Sequence, residues 1–155
     1  MRVITAGLFV FLATLFAFAL EQPQRNPVGQ WQRSEMIQPE ELIIRVRDNG
    51  PLKPMIIFTG FRSLYRGGHI PEALFGGPAS STEGLETLKL AVQKIPKNRE
   101  IVIYCGCCPW EACPNVRPAI DVLHQLGFKQ VKALVISSSL EADWAAKGYP
   151  LEKSQ

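Results

Sequence analysis

The chain has 155 residues, of which 46% are hydrophobic and 20% are charged, with 12 Gly and 12 Pro. This composition is that of one globular domain and excludes a fibre, a repeat array or a disordered tail. The 17 basic and 14 acidic side chains leave a formal net charge of +3, which is too weak to predict a nucleic-acid partner or a polybasic membrane surface.

The first 20 residues are typical of an export signal. A mainly apolar run over 3–20 follows the single basic residue Arg2, and the small residues Ala17 and Ala19 fit a cleavage site. We expect a signal peptide over 1–19, an exported chain that is periplasmic or secreted, and no stable membrane insertion after cleavage. An uncleaved anchor is the alternative, because the run approaches the roughly 20 residues that span a bilayer.

A flexible leader is predicted over 20–38, because most of this stretch is polar and has no hydrophobic period. The folded domain is predicted to occupy 39–153. It begins with a helix, since Pro39 suits the first helical position and the acidic pair that follows it is favoured by the helix dipole. Gly50 is predicted to end this helix.

Short, mainly apolar runs recur along the rest of the chain. Residues 55–58, 101–104 and 131–136 have the pattern of strands that are buried on both faces. The first of these runs is followed by a polar, glycine-rich loop. We therefore expect strands in these three places and no regular element in the loop.

Helix signals separate the predicted strands. Ser80 and Ser138 each precede a glutamate by three residues, which is the capping-box pattern of a helix N-terminus. Between them, apolar side chains at helical spacing predict a helix with Asn115 as its N-cap and Gly127 at its end. Strands alternating with helices predict an α/β domain, with a parallel sheet covered by helices on both faces and ligands bound at the carboxyl ends of its strands.

All the cysteines of the chain lie within nine residues, directly after the predicted strand 101–104. They are Cys105, Cys107, Cys108 and Cys113. This clustering excludes a scaffold of disulfides between distant segments and indicates one reactive or ligating site. Cys105 is the predicted nucleophile, because loop N–H groups and the N-terminus of the next helix stabilise a thiolate there. A buried, inert cysteine is the alternative.

At several motifs the sequence resembles the rhodanese family. Residues 65–73, Tyr-Arg-Gly-Gly-His-Ile-Pro-Glu-Ala, are similar to the family's Tyr-x-x-Gly-His-Ile-Pro-Gly-Ala signature, and 101–105 are similar to the strand that leads to its catalytic cysteine. Further similarities follow in order at Leu123, Gly127, Phe128, Val131, Asp143, Trp144 and 148–150. The resemblance covers about 39–151 and implies a rhodanese-like domain. It also implies that Cys105 takes sulfane sulfur from a donor such as thiosulfate, as a persulfide, and passes it to a thiol or cyanide.

Two departures from the family pattern affect the predicted anion site. The family has an Asp-x-Arg at the end of the preceding strand, where this chain has Phe58 and Gly60, so Arg62 is the candidate cation. The family's arginine five residues after the cysteine is replaced by Asn115, ten residues after it. The loop is thus five residues longer, and Arg117 becomes a second candidate anion ligand.

Supporting roles are predicted for other residues of these loops. The backbone of 106–115 is expected to cradle the sulfur adduct, with Gly106, Trp110 and Asn115 at the substrate or anion site. His69 is expected to fix the signature loop by hydrogen bonding. The thiols of Cys107, Cys108 and Cys113 are candidate resolving thiols that form a disulfide with the nucleophile, or members of a permanent structural disulfide.

A metal site is the rival interpretation of the cysteine cluster. Four thiolates in C-x-C-C-x4-C spacing can ligate a tetrahedral zinc ion, and the Cys-Pro ending is similar to that of some iron–sulfur motifs. Cys105 already has a predicted role at the strand end, and the spacing matches neither common iron–sulfur pattern. We therefore expect no metal and no cofactor, with a small sulfur-containing substrate and a thiol acceptor as partners. A third interpretation is an exported module that senses oxidants or an anion without catalysis.

Overall fold

The computed structural model describes residues 31–48, 50–51 and 53–154. Its strands are β1 (Met36–Ile37), β2 (Met55–Phe58), β3 (Leu74–Phe75), β4 (Ile101–Tyr104) and β5 (Val131–Leu134). They form one parallel sheet in the order β1-β5-β4-β2-β3. The predicted signal peptide over 1–19 and the part of the predicted leader over 20–30 lie outside the described residues.

Helices lie between successive strands, as parallel pairing requires, and a further helix follows the last strand. They are α1 (Pro39–Asp48), α2 (Arg62–Gly67), α3 (Thr82–Val92), α4 (Val116–Gln125) and α5 (Leu140–Asp143). Short 3-10 turns occupy Arg33–Glu35, Trp110–Ala112 and Ala145–Lys147. Within the part of the chain that the structure describes, no helix is both long enough and apolar enough to cross a membrane.

The core lies on both faces of the sheet, because successive side chains of a strand point to opposite sides. On one face, Ile57 and Ile103 pack in a cluster with the buried side chains of α3 and α4. On the other face, Val102 and Tyr104 pack with those of α1 and with Trp144. These two layers confirm the predicted α/β fold with helices on both faces of a parallel sheet.

The sheet begins earlier in the chain than the sequence predicts. Met36 and Ile37 form β1 and pair with Ala133 and Leu134 of β5, and Ile37 is almost fully buried. The predicted leader is therefore wrong at its end, because β1 lies within 20–38. A strand of two residues is too short to show a hydrophobic period, so its stability comes from its partner strand and not from a pattern visible in the sequence.

The glycine-rich loop after β2 is also more regular than predicted, since it contains α2 and β3. Helix α2 has only six residues and buries none of them, so it has no apolar stripe by which the sequence could show it. After the short helix, β3 pairs with β2 at the edge of the sheet, so β2 separates it from β4.

Two helix caps lie one residue later than predicted. The side chains of Ser81 and Ser139, and not those of Ser80 and Ser138, accept the capping hydrogen bonds at α3 and α5. Each predicted serine is followed by another serine, and either of the two can serve as the cap. The capping-box pattern found the right helix starts but chose the wrong serine of each pair.

Candidate active site

Strand β4 delivers Cys105 to the carboxyl edge of the sheet. It lies between β5 and β2, and its last residue, Tyr104, directly precedes the cysteine. Only 3% of Cys105 is exposed, and its side chain contributes to the wall of a cleft of about 250 Å³. The rest of the wall consists of Phe58, Ser63, Leu64, Gly67, Gly68, Gly106, Leu140, Glu141 and Leu151. The predicted position of Cys105 at a strand end is confirmed.

A glycine makes room for the Cys105 sulfur on the β2 side of the cleft. A Cβ atom on Gly60 would lie 2.8 Å from the ring of Phe58 and 3.3 Å from Cys105 Sγ. Any side chain at residue 60 must therefore displace the aromatic ring or crowd the sulfur. Where the family resemblance implies an acid and a cation, this chain has the aromatic ring of Phe58 and, at Gly60, no side chain.

The thiols form a compact cluster, and all of them are free. The Sγ atoms of Cys105 and Cys107 are 3.3 Å apart, those of Cys107 and Cys108 are 3.5 Å apart, and those of Cys105, Cys107 and Cys113 all lie within 4.8 Å of one another. Between the first two cysteines, Gly106 has a φ of 83°, a left-handed conformation that glycine adopts without strain. The loop therefore turns back on itself and brings the sulfur atoms together.

The negative charge of the cluster is favoured on Cys113, which lies just before α4. The neighbouring Cys105 thiol and the backbone N–H groups of Asn115 and Val116 stabilise its thiolate and lower the pKa of Cys113 to about 6. The contact with Cys113, together with burial, raises the pKa of Cys105. Burial and the contact with Cys107 raise the pKa of Cys108 to about 12.

This distribution corrects the prediction that the helix N-terminus stabilises a Cys105 thiolate. The longer loop puts Cys113, and not Cys105, beside the first N–H groups of α4. The predicted backbone cradle is also wrong in part, because loop N–H groups have main-chain acceptors elsewhere: those of Trp110, Ala112 and Cys113 donate to carbonyl oxygens. Cys105 instead has thiol neighbours and one side-chain amide.

That amide belongs to Asn115, which is 4% exposed. Its Nδ2 donates to Cys105 Sγ at 3.6 Å, and its Oδ1 accepts from the backbone N–H of Ser80 at 2.9 Å. Its side chain makes no capping bond to α4, so Asn115 occupies the predicted N-cap position without the predicted capping role. The structure thus brings Asn115 to the candidate nucleophile, as the prediction of a substrate-site residue requires.

Three other predicted site residues lie away from the cleft. The Arg62 guanidinium is 3.9 Å from the centre of the Phe75 ring and lines a separate cavity of about 230 Å³. The Arg117 guanidinium is 3.3 Å from the centre of the Trp31 ring and 3.8 Å from a Glu35 oxygen. Trp110 is buried and packs on the same Trp31 at 4.5 Å. None of the three lines the described wall at Cys105, which contradicts their assignment to the substrate or anion site.

His69 lies at the centre of the contacts that hold the signature loop. Its Nδ1 donates to the Tyr65 carbonyl at 2.8 Å, and its backbone N–H and carbonyl both pair with Glu152. One residue later, the N–H of Ile70 donates to the Tyr104 hydroxyl at 2.9 Å, which joins the loop to the strand that bears Cys105. These are contacts of the kind that a loop-fixing role needs.

The apolar residues of the cleft wall were missed by the sequence analysis. Leu64 comes from α2, Leu140 from α5 and Leu151 from the C-terminal segment, so more than 80 positions of sequence separate the first from the last. Only their packing around one strand end makes them neighbours. No local pattern in the sequence signals such a wall.

Solved structures of other proteins share the fold described above. No protein-family model matches the sequence. No curated protein matches it either. Among solved structures, a protein from Bacillus halodurans superposes with a TM-score of 0.61 at 22% identity, over 77% of both chains. The rhodanese-like domain of an Anabaena protein superposes with a TM-score of 0.56 at 25% identity, over 77% of this chain and 80% of that domain.

A thiosulfate sulfurtransferase from Pseudomonas aeruginosa is a third structural neighbour. It superposes with a TM-score of 0.56 at 22% identity. The match covers 83% of this chain but only 21% of the bacterial enzyme, so it concerns one part of a much longer protein. At this identity the likeness is one of fold.

Proposed function

This chain is a rhodanese-like domain, and we propose that it is a sulfurtransferase-type enzyme in which Cys105 carries sulfane sulfur as a persulfide. The observation that carries the proposal is the position of Cys105, at the carboxyl end of the central strand with its side chain on the wall of a cleft. In parallel sheets, ligands bind at this edge. A sulfur atom added to Cys105 Sγ has space in the cleft.

The first step forms the persulfide. Cys113 Sγ lies within 4.8 Å of Cys105 Sγ and has a lowered pKa, and it accepts the Cys105 proton as the sulfur attacks. The Cys105 sulfur forms a bond to the outer sulfur of the donor, and the bond between that sulfur and the rest of the donor breaks. The leaving group, a thiolate or sulfite, takes the electron pair.

The second step returns the enzyme to its starting state. An acceptor thiolate attacks the outer sulfur of the Cys105 persulfide, and the bond between the two sulfurs breaks. Cys105 leaves as a thiolate and recovers its proton from Cys113, so the protein undergoes no net oxidation. The Asn115 amide at 3.6 Å is placed to donate to the Cys105 sulfur while it carries charge.

The cleft wall favours an organic persulfide over thiosulfate as the donor. Apolar side chains dominate the wall, and among its described residues Glu141 is the only charged one. Both candidate cations, Arg62 and Arg117, have aromatic partners elsewhere. A dianion in this cleft therefore finds a carboxylate and no arginine, whereas the organic part of a persulfide can bury apolar surface.

A second candidate function is thiol–disulfide exchange, which the 3.3 Å distance between Cys105 and Cys107 favours. Here Cys107 attacks the inner sulfur of the Cys105 persulfide and releases hydrosulfide. The product is a Cys105–Cys107 disulfide, which an external dithiol must reduce before another cycle. This path also conserves sulfur and electrons, with the donor's sulfane sulfur reduced to sulfide and the two thiols oxidised.

Steady-state kinetics with two donors test the proposed activity. We expect kcat/KM for an organic persulfide to exceed that for thiosulfate by about tenfold or more, since no cation is among the described residues of the cleft wall. The exposed His124 provides a matched control, and His124→Ala should retain both values. Failure of the wild-type protein to transfer sulfur from either donor to a thiol contradicts the proposal.

Export is part of the proposal and concerns residues outside the described ones. The mature chain is expected to begin near Leu20. Mass determination of the protein recovered from outside the cytoplasm tests this, and a full-length mass with Met1 retained contradicts it.

A further inference from the structure

Three of the thiols after β4 are close enough to share one metal ion, and the fourth, Cys108, adjoins them. The Sγ atoms of Cys105, Cys107 and Cys113 lie within 4.8 Å of one another, and Cys108 Sγ is 3.5 Å from that of Cys107. Thiolates that share a tetrahedral zinc ion, at a Zn–S distance of about 2.3 Å, are about 3.8 Å apart. We propose that these four cysteines form a site for a single thiophilic ion, Zn²⁺.

The backbone of the loop holds these thiols near the required positions. The left-handed Gly106 turns the chain between Cys105 and Cys107, and its carbonyl accepts from the Leu140 N–H at 2.9 Å. Farther along, the Cys113 N–H donates to the carbonyl of Trp110, which closes the 3-10 turn and returns the chain to the cluster. A site that is already folded binds an ion with less loss of conformational entropy.

Hydrogen-bond donors around the thiols suit sulfur atoms that remain charged. Four thiolates and one Zn²⁺ carry a net charge of −2, which needs compensation from the protein. Cys113 accepts from the N–H groups of Asn115 and Val116 at the N-terminus of α4. Cys105 accepts from the Asn115 side chain, which Ser80 holds in place. Such second contacts orient metal ligands and raise affinity.

The exposure of the thiols indicates how an ion enters the site, and their spacing limits the site to one ion. Cys107 is exposed and Cys108 is half-buried, whereas Cys105 and Cys113 are buried, so the ion enters from the Cys107 side. Three sulfurs within 4.8 Å of one another enclose one ion, while a cluster of several irons and sulfides needs its cysteine ligands farther apart. Each thiol that binds releases its proton, and no electron transfer is involved.

The metal site and the sulfur-transfer site share Cys105, so the two ligands exclude each other. A Zn²⁺ ion bound to the Cys105 sulfur blocks attack on a sulfur donor, and a Cys105 persulfide removes one ligand from the ion. This competition rests on the proposed function. Metal binding itself does not, because it can be measured with no sulfur donor present.

Titration of the reduced, anaerobic protein with Zn²⁺ against a chromophoric chelator tests the site. We expect one Zn²⁺ per chain, with affinity reduced by about tenfold or more in both Cys107→Ser and Cys108→Ser. His124→Ala removes an exposed potential ligand outside the cluster and should bind as the wild type does. Co²⁺ in the same site should give the visible absorption of a tetrahedral thiolate complex.

Three results overturn the inference. They are no Zn²⁺ bound by the reduced wild type, equal affinity in the wild type and in both cysteine variants, and loss of binding in His124→Ala. Thermal unfolding without metal shows that each variant is folded. If the protein binds Zn²⁺ but never becomes persulfidated, the metal site stands and the proposed sulfurtransferase activity is contradicted. If it becomes persulfidated but binds no Zn²⁺, the proposed activity stands and the metal site is contradicted.

Discussion

The two ends of β4 are surrounded by different kinds of contact. Before its first residue, Glu100 accepts hydrogen bonds from Arg45 and has Lys132 at 3.2 Å, so its carboxylate is held by two cations. After its last residue, Cys105 is surrounded by thiols and one amide. Ion pairs fix a position, whereas thiol contacts can be exchanged for a bond to sulfur or to a metal. One strand thus joins a stabilising end, at Glu100, to the end at Cys105, where we propose the reaction, called the reactive end below.

The largest effect should follow from a change at the reactive end. Gly106→Ala puts a side chain on a residue with a φ of 83° and a Cβ 3.0 Å from that of Leu140. We expect a loss of about 1–3 kcal/mol in the free energy of unfolding, together with a fall in sulfur transfer of about tenfold, because the strained turn separates Cys105 from its neighbours. Denaturant unfolding and turnover measure the two effects.

Gly127→Ala is the matched control for this change. Gly127 has a similar φ of 90°, but nothing lies within 4 Å of the added Cβ. It ends α4 at the opposite end from the cysteines. This variant should lose stability through backbone strain alone and keep its turnover. Equal turnover in both glycine variants would show that the Gly106 turn does not position the thiols.

A smaller effect, on stability alone, is expected at the other end of β4. Glu100→Gln removes the carboxylate that pairs with Arg45 and Lys132, and we expect a loss of about 1 kcal/mol in the free energy of unfolding at neutral pH, with unchanged turnover. Glu86, exposed and paired with Lys89 at 2.7 Å, gives the comparison, and Glu86→Gln should change stability by less than about 0.5 kcal/mol. Altered turnover in Glu100→Gln contradicts the division between the two ends.

The same carboxylate predicts a dependence on pH. The hydrogen bond from Arg45 lowers the pKa of Glu100, so the unfolded chain binds this proton more readily than the folded one. Its contribution to stability is therefore complete above the ordinary pKa of a glutamate and is lost as the pH falls through the lowered value. In Glu100→Gln, the Tm should fall less steeply with acid than in the wild type. If the Tm of the two proteins falls equally steeply with acid, the result contradicts a stabilising ion pair at Glu100.

The smallest effect is expected from the two arginines first predicted to bind an anion. Their guanidinium groups lie on aromatic rings outside the cleft wall. Arg62→Gln and Arg117→Gln should each change kcat/KM by less than about twofold with either donor. A large rise in KM for thiosulfate alone, in either variant, would restore that arginine as an anion ligand.

Sequence patterns predicted the parts of the molecule that depend on local chemistry. The apolar runs of β2, β4 and β5 signal buried strands, and the position of Cys105 follows from the end of such a run. Strands β1 and β3 have two residues each and are stabilised by their partners, so they have no pattern of their own. Packing between segments that are distant in the sequence could not be predicted from these local patterns.

The distribution of charge and the contacts within the site could be assigned only from the three-dimensional path of the chain. The sequence predicted the thiolate on Cys105, whereas the extra loop residues put Cys113 beside the N-terminus of α4. Likewise, the aromatic partners of Arg62 and Arg117 come from distant segments, so spacing alone could not separate a free cation from an engaged one. Local signals found the candidate nucleophile, the thiols near it and Asn115, but not which thiol is most acidic or where the arginines lie.

Mass spectrometry of the protein after exposure to an organic persulfide tests the central claim most directly. The wild type should gain one sulfur atom, about 32 Da, and fragmentation should place that sulfur on Cys105. Cys105→Ser should show no such gain, while Cys107→Ser, in the exposed cysteine, should keep it. A sulfur adduct that persists in Cys105→Ser, or that never forms on the wild type, would contradict the account.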